Sequence, residues 1–352
     1  MRGELAAALD SIVEKYRQKG YFTQASYGVF QRDKISFLNT CGGADRGTSF
    51  DLASLTKIYT TFLILRGIQE GKLSLAESPL GFLEIPASCK KVAEYLSHVT
   101  VEQLMTHTSG LCAWYPFYVE KEEFYQVLEK LVPKEKGSEE PVYSDLNYML
   151  LGKAAEGVWK MELSEAVNKI IAKPLGMESL AYYPPGSARR GKIAVSAYDN
   201  CTEEAMCRER GLSFQHFRKH GAPICGEAND GNCWYYFQGI SGHAGLFSNA
   251  EDVCRFGMFF LNEDSGIFAQ AQKPRAGTRG LGFDTGFLYP GGCGHTGFTG
   301  TSLYLSVEKG VGAVLLTNRL TCAQSAGLPD LRELRRQFHE KVEESTGVSC
   351  KK

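Results

Sequence analysis

Ser54 and Lys57 stand three residues apart in Phe50-Asp51-Leu52-Ala53-Ser54-Leu55-Thr56-Lys57, at the head of the most hydrophobic helical stretch of the chain. At that spacing two side chains share a helix face. The run that follows, Ile58-Tyr59-Thr60-Thr61-Phe62-Leu63-Ile64-Leu65, is apolar almost all round, which predicts a buried helix and a lysine drawn out of water. Burial lowers a lysine's pKa, and an amine that sheds its proton one turn from a hydroxyl can make serine a nucleophile. A helix-capping serine fits the same position. Ser-x-x-Lys begins four times, at Ser54, Ser88, Ser306 and Ser349, so context must separate them. Ser88 precedes the Lys90-Lys91 pair of a surface segment, Ser306 belongs to a strand-like alternation, and Ser349 lies in the terminal tail. Only Ser54 opens a buried helix.

Two further clusters carry chemistry. Tyr143-Ser144-Asp145-Leu146-Asn147-Tyr148 follows a turn-rich segment and leads into the apolar run 149–155, so a phenol and a carboxylate two residues apart can face one cleft. The same residues can instead cap that helix, with Ser144 or Asp145 at its N-terminus and Tyr143 packed beneath. Gly294-His295-Thr296-Gly297-Phe298-Thr299-Gly300 is short, polar and glycine-rich, and runs into a strand that begins at Ser302. Its glycines remove side chains where a ligand backbone can lie along a strand edge, or they make a plain hairpin turn.

These clusters need elements to position them. Residues 4–19 have helical period, and 25–30 with 34–38 read as a hairpin turning at Arg32-Asp33. Residues 91–180 are mainly helical in pattern, with loops at Thr108-Ser109-Gly110 and Lys136-Gly137-Ser138. Strand patterns return at 282–287, 302–307 and 311–317, before a final amphipathic helix over about 328–346. Strands and helices at both ends with helices between imply an α/β (α+β) fold, with one sheet built from both termini. The expected division is a sheet domain over 1–75 and 240–352, with a mostly helical inserted domain over 76–239. A cleft between them is the default place for a site. Residues 198–237 show no clear period.

Composition narrows the function classes. The net charge of −1 and the absence of a basic block give no support for nucleic acid or an anionic membrane as partner. No run approaches the length of a spanning helix, and the N-terminus becomes charged too soon for a signal peptide. The expectation is a cytoplasmic protein, or an exported one whose leader lies outside this sequence. Eleven cysteines in an odd, scattered set read as reduced buried residues. A zinc site from Cys201, Cys207, Cys225 and Cys233, with His216 or His220, has irregular spacing, and no metal or cofactor is expected. Nothing sets an oligomeric state.

Together the three clusters resemble the serine beta-lactamase and penicillin-binding-protein superfamily, nearest its class C, esterase and D,D-peptidase branch. That superfamily has Ser-x-x-Lys opening a buried helix, Tyr-x-Asn on a helical lobe and Lys-Thr-Gly or His-x-Gly on an edge strand. Here they stand, in the same order, as Ser54-Lys57, Tyr143-Ser144-Asp145 and His295-Thr296-Gly297. Residues 104–111, Pro174-Leu175-Gly176-Met177 and Gly242-His243-Ala244-Gly245-Leu246-Phe247-Ser248 add to the likeness, which covers about 24–320. The resemblance implies a beta-lactamase/transpeptidase-like antiparallel sheet flanked by helices, with Ser54 acylated and Lys57 and Tyr143 moving its proton. It places the N–H groups of Ser54 and Phe298 at an oxyanion hole. Thr296 and Gly297 would line the substrate edge with His295 beside them, while His107 and His243 shape loops. Asp145 departs from the usual asparagine: an ionised carboxylate cannot donate, and it favours a protonated Lys57. At 226–233 the related sequences tend to show a short His-Asp signature that this chain lacks. The implied activity is hydrolysis of an ester or amide through an acyl-enzyme, on a short D-amino-acid peptide or small ester, with weak beta-lactam turnover. The alternative is a non-catalytic member that binds peptidoglycan-like peptides or a partner protein; intact Ser54, Lys57 and Tyr143 favour catalysis.

Overall fold

A computed structural model describes residues 2–133, 140–322 and 327–345. The loop expected at Lys136-Gly137-Ser138 and the tail holding Ser349 lie outside them. In chain order the elements that matter for the site are α1 (Arg2–Gln18), β1 (Ala25–Gln31), β2 (Ile35–Cys41), α2 (Thr56–Gln69), α3 (Asp145–Trp159), α4 (Cys201–Glu209), α5 (Ala250–Asn262), β3 (Cys293–Thr296), β4 (Ser302–Ser306), β5 (Val311–Thr317) and α6 (Arg332–Glu344).

The sheet is built from both ends of the chain, in the order β2-β1-β5-β4-β3. β1 lies antiparallel to β5, with Ala25 opposite Thr317 and Gln31 opposite Val311. β3 is the edge strand, His295 opposite Leu303 of β4. Successive residues of a strand point to opposite faces, and both faces here are covered. Ala313 and Leu315 join Leu9 and Val13 of α1 and Phe338 of α6, whereas Val314 and Leu316 face the larger core with Phe256 and Phe260 of α5. That is why β5 reads as an unbroken apolar run.

On that larger-core side α2 is buried nearly throughout, and Tyr59 stacks on Phe256 with ring centroids 4.1 Å apart. α3 packs against α2, and the segment 241–244 is wedged beside both. Glycines allow the wedge. A Cβ at Gly242 would stand 2.2 Å from the Tyr148 carbonyl oxygen and 2.7 Å from Gly152 Cα, so two backbones touch where side chains would separate them. The close approach brings the Gly242 carbonyl to Thr60 Oγ1 at 2.8 Å and the His243 carbonyl to Lys57 Nζ at 3.2 Å.

One reading needs correction. Residues 282–287 form no ladder strand: Asp284 makes isolated bridges to Arg279 and Gly294, and the chain turns at Gly282 with φ +79°. The region 76–239 also contains short strands, Ala181–Tyr182, Val195–Ala197 and Ile224–Cys225, the first pairing with Leu246–Ser248, which in turn pairs with Phe50–Asp51. Strands of two or three residues are too short to show alternation in sequence.

Gly242→Ala is therefore expected to destabilise the fold by about 1–3 kcal/mol or more, since neither backbone can retreat without moving a helix. Urea unfolding of the variant beside the parent checks it; an unchanged midpoint contradicts the wedge.

Candidate active site

Ser54 sits in a short 3₁₀ turn, Ala53–Leu55, just ahead of α2 rather than within it. Ala53 is left-handed at φ +47°, a conformation that costs an alanine energy and must be held by its neighbours. Asp51 holds it from inside: one carboxylate oxygen accepts from Ala53 N at 2.8 Å, the other from Asn229 N at 2.7 Å. Burial pushes the Asp51 carboxyl up to about 6, against the pull of those two N–H groups. Thr299 and Thr301 donate to the Asp51 and Leu52 carbonyls at 2.7 Å and 3.0 Å. The serine is thus presented on a turn clamped from two sides.

Lys57 is fully buried, and its Nζ donates to Ser54 Oγ at 2.7 Å. Asp145 Oδ1 lies 2.7 Å away as well, off the line of a good hydrogen bond and with no other partner, so the contact is an ion pair first. The ammonium also stands 4.9 Å from the centre of the Tyr143 ring. Burial pulls the lysine's pKa down, but Asp145 and then Tyr143 pull it up by more, and the net shift is upward. The carboxylate two residues after the tyrosine thus opposes the downward shift that burial alone would give the lysine.

Tyr143 is positioned by His107. The His107 carbonyl accepts from Val142 N at 2.9 Å, and its ring Nδ1 accepts from Ser144 N at 3.0 Å, so one residue grips the chain on both sides of the tyrosine. Ser144 Oγ donates to the Cys112 carbonyl at 2.6 Å, and Asp145 N to that of Ala113 at 2.9 Å. Ser144 is the residue before α3, yet its hydroxyl makes no capping bond. His107 is held well below the usual histidine range by burial and then by Lys57 and Arg279, which keeps Nδ1 an acceptor.

On the far side β3 brings His295 and Thr296, followed by Gly297 and Phe298, to a cavity of 300 Å³ shared with Ser54, Tyr143 and Arg279. The three glycines here answer to the protein's own packing. A Cβ at Gly297 would stand 2.4 Å from the Leu52 oxygen, one at Gly294 would meet the Leu303 oxygen at 2.1 Å, and one at Gly300 would meet Thr317 Oγ1 at 2.1 Å. His295 Nδ1 donates to the Thr296 carbonyl at 2.8 Å, and burial followed by Lys57 and Arg279 keeps the ring neutral, leaving Nε2 as an acceptor rather than a charge partner. Arg335, buried on α6, donates to the Gly297 and Thr301 carbonyls at 2.8 Å and 3.0 Å, lines the same cavity, and has an Nε without a partner.

A family model described as Beta-lactamase matches residues 9–335. The chain belongs to the beta-lactamase family. Among curated relatives, it is similar to an N-acetylmuramyl-L-alanine amidase of Bacillus subtilis (strain 168), 29% identical over 310 residues, 77% of this chain and 68% of that protein. It is likewise similar to a putative D-alanyl-D-alanine carboxypeptidase of Salmonella schwarzengrund (strain CVM19633), 27% identical over 317 residues, 78% of this chain and 70% of that one. Among solved structures, a class C beta-lactamase superposes with TM-score 0.68 at 17% identity, covering 98% of both chains. The hydrolase EstCE1 does so with TM-score 0.63 at 19% identity, covering 97% of this chain and 99% of the other. The fold is that of the beta-lactamases and penicillin-binding-protein homologues, and the family is one of serine hydrolases.

Seen against the beta-lactamase pattern, the structure brings Ser54, Lys57, Tyr143, Asp145, His295, Thr296, Gly297 and Phe298 around one cleft. It also adds residues the sequence did not single out: Arg279, Arg335, Glu203 and Asp230. Asp230 Oδ1 meets His243 Nε2 at 2.9 Å, while His243 Nδ1 meets Ser241 Oγ at 2.7 Å. Cys207, Cys225 and Cys233 make separate contacts, with Tyr118, Ile193 and Ala244, and Cys201 is exposed; the cluster of metal-capable side chains among the described residues is Asp145, Asp230 and His243 instead.

His107→Ala leaves the Ser144 N–H buried without an acceptor and puts alanine at φ +62°, and is expected to cost about 1–3 kcal/mol. His107→Asn, which tolerates that φ and keeps an acceptor, should recover part of the loss. Equal unfolding midpoints for the two variants would contradict the grip assigned to the imidazole.

Proposed function

We propose that the protein is a serine hydrolase that works through an acyl-enzyme on Ser54, with short D-amino-acid peptides or small esters as substrates and weak beta-lactam turnover. The observation that carries this is the 2.7 Å contact between a buried Lys57 ammonium and Ser54 Oγ, at a cleft that Tyr143 also lines. An ammonium has no lone pair, so Lys57 in this state donates to Ser54 and cannot take its proton. Tyr143 is the group left to do so. To take that proton Tyr143 must react as the phenolate, whose negative charge is balanced by Lys57 and by Arg279, 4.9 Å and 5.2 Å from the ring centre; as Ser54 Oγ bonds to the substrate acyl carbon, its proton passes to that oxygen and gives the neutral phenol. The tetrahedral oxygen is received by the N–H groups of Ser54 and Phe298. Collapse breaks the bond to the leaving nitrogen or oxygen, which takes the proton from Tyr143. Water then attacks the acyl carbon, gives a proton to Tyr143, and the Oγ–C bond breaks as Ser54 recovers it.

The names of the curated relatives, an amidase and a carboxypeptidase, support amide hydrolysis in peptides. Arg279, Arg319 and Arg335 beside His295 support a substrate whose leaving part ends in a carboxylate, because guanidinium groups recognise carboxylates by paired hydrogen bonds.

Ser54→Ala is expected to abolish hydrolysis and labelling by a fluorophosphonate while leaving the unfolding midpoint in place; residual turnover above a few per cent of the parent contradicts the assignment. Tyr143→Phe should lose roughly 10²- to 10⁴-fold in kcat on a p-nitrophenyl ester, more than His295→Ala, since the imidazole orients substrate and the phenol moves a proton in each step. The reverse order would mean the base is wrongly assigned.

Asp145→Asn removes the anion that raises the Lys57 pKa, so the free amine should appear at lower pH. The alkaline-going limb of the pH–rate profile is then expected to move to lower pH, and acylation by a penicillin to quicken. Mass spectrometry of the adduct across pH reads both; an unmoved profile contradicts the coupling.

A further inference from the structure

The cleft has a second compartment whose chemistry is opposite to the first. On the side of Ser54 away from Arg279, a cavity of 180 Å³ is walled by Asp145, Glu203 and Asp230 and by the apolar faces of Trp114, Met206 and Phe298. Two of the three carboxylates are matched: Asp145 by Lys57 at 2.7 Å, Asp230 by His243 at 2.9 Å. Glu203 is not. It stands on α4, about nine-tenths buried with 8% exposure, and one of its oxygens accepts from Gly231 N at 2.9 Å. The other, Oε2, has no partner, and neither has Nδ2 of the buried Asn229 in the same wall. Arg218 is the guanidinium whose charge reaches Glu203, but it is committed to Glu227 at 3.0 Å and to the Ala228 carbonyl at 2.7 Å. A buried carboxylate oxygen left without a donor carries a desolvation penalty that a ligand with N–H groups would relieve.

We propose that this compartment receives a primary ammonium group on the acyl part of the substrate, so that the enzyme prefers short peptides or amides with a free amine. The inference rests on the serine hydrolase reading, because it places the acyl part opposite the arginine-lined compartment taken by the leaving group. A substrate with a carboxylate at one end and an ammonium at the other then matches both ends of the cleft, and the apolar walls suit the methylene or methyl groups between. Burial, followed by repulsion from Asp230, pushes the Glu203 carboxyl well above its usual range, and both are penalties on its charged form that an arriving cation would offset. A divalent metal ion fits less well. Asp145, Asp230 and His243 would have to release Lys57 and each other to ligate it, and it would stand beside an ammonium.

The test measures binding separately from turnover. The Ser54→Ala protein is titrated calorimetrically with D-alanyl-D-alanine and with N-acetyl-D-alanyl-D-alanine, each with and without EDTA, while wild-type protein is exposed to a fluorophosphonate. The free-amine peptide is expected to bind about tenfold tighter or more than the acetylated one, as a charge-assisted hydrogen bond to a buried carboxylate implies, and EDTA should change nothing. In Ser54→Ala with Glu203→Gln, most of that preference should vanish. Equal or tighter binding of the acetylated peptide, no binding of the free-amine peptide at millimolar concentration, or binding that EDTA abolishes would each overturn the proposal. Should the double variant fail to fold, the two peptides on the single variant still decide. Failure of the fluorophosphonate to label wild-type Ser54 would sink the hydrolase reading instead, whatever the peptides do.

Discussion

An ammonium cannot be taken fully out of water unless an anion goes with it, and the site is arranged around that constraint. Lys57 is wholly buried, and Asp145 is the group that makes its burial tolerable. Removing one partner of such a pair costs about 3–5 kcal/mol, because the remaining charge is stranded. The pair therefore fixes distances that the proposed catalysis needs: it ties α2 to the start of α3 and so ties Ser54 to Tyr143. Its chemical consequence is equally direct. With Asp145 in place Lys57 is a donor to Ser54, and in the proposed mechanism proton transfer falls to Tyr143.

Around the pair, each neighbour acts by holding backbone rather than by joining the chemistry. Gly152 and Gly242 let the chain pass close enough for the His243 carbonyl to accept a hydrogen bond from Lys57. His107 grips the residues on both sides of Tyr143, and Asp51 clamps the left-handed Ala53 that presents the serine. These are strained or close-packed places that persist because several contacts determine each one.

Much of this was legible in the sequence, for reasons that differ by element. The buried helix after Ser54 and the fully covered strand at 311–317 announce themselves by unbroken apolar runs, and the hairpin over 25–38 by two short strand-like runs about the turn at Arg32-Asp33. The order of Ser54-Lys57, Tyr143 and His295-Thr296-Gly297 carried the family. What could not be read is what depends on distant pairing. Asp145 was recognised as favouring a protonated lysine, but burial alone argued the other way, and only the 2.7 Å separation decides between them. The glycines at 294, 297 and 300 looked like room for a ligand and are room for Leu303, Leu52 and Thr317. Residues 198–237 lacked a period because a short helix, a two-residue strand and turns succeed one another there, none long enough to impose its own pattern, which is why Glu203 and Asp230 gave no local signal. Arg335 was hidden in an ordinary amphipathic helix whose buried face happens to reach the edge strand.

The central claim is that Lys57 carries a proton at neutral pH and is held so by Asp145. Nuclear magnetic resonance of protein labelled with ¹³C at the lysine Cε, with the Lys57 signal identified by its loss in Lys57→Met, tests it directly. The account predicts that this signal keeps the shift of an ammonium throughout the neutral range and does not titrate below the ordinary lysine range. A signal that titrates near neutrality would show a free amine beside Ser54, and would return the role of base from Tyr143 to the lysine.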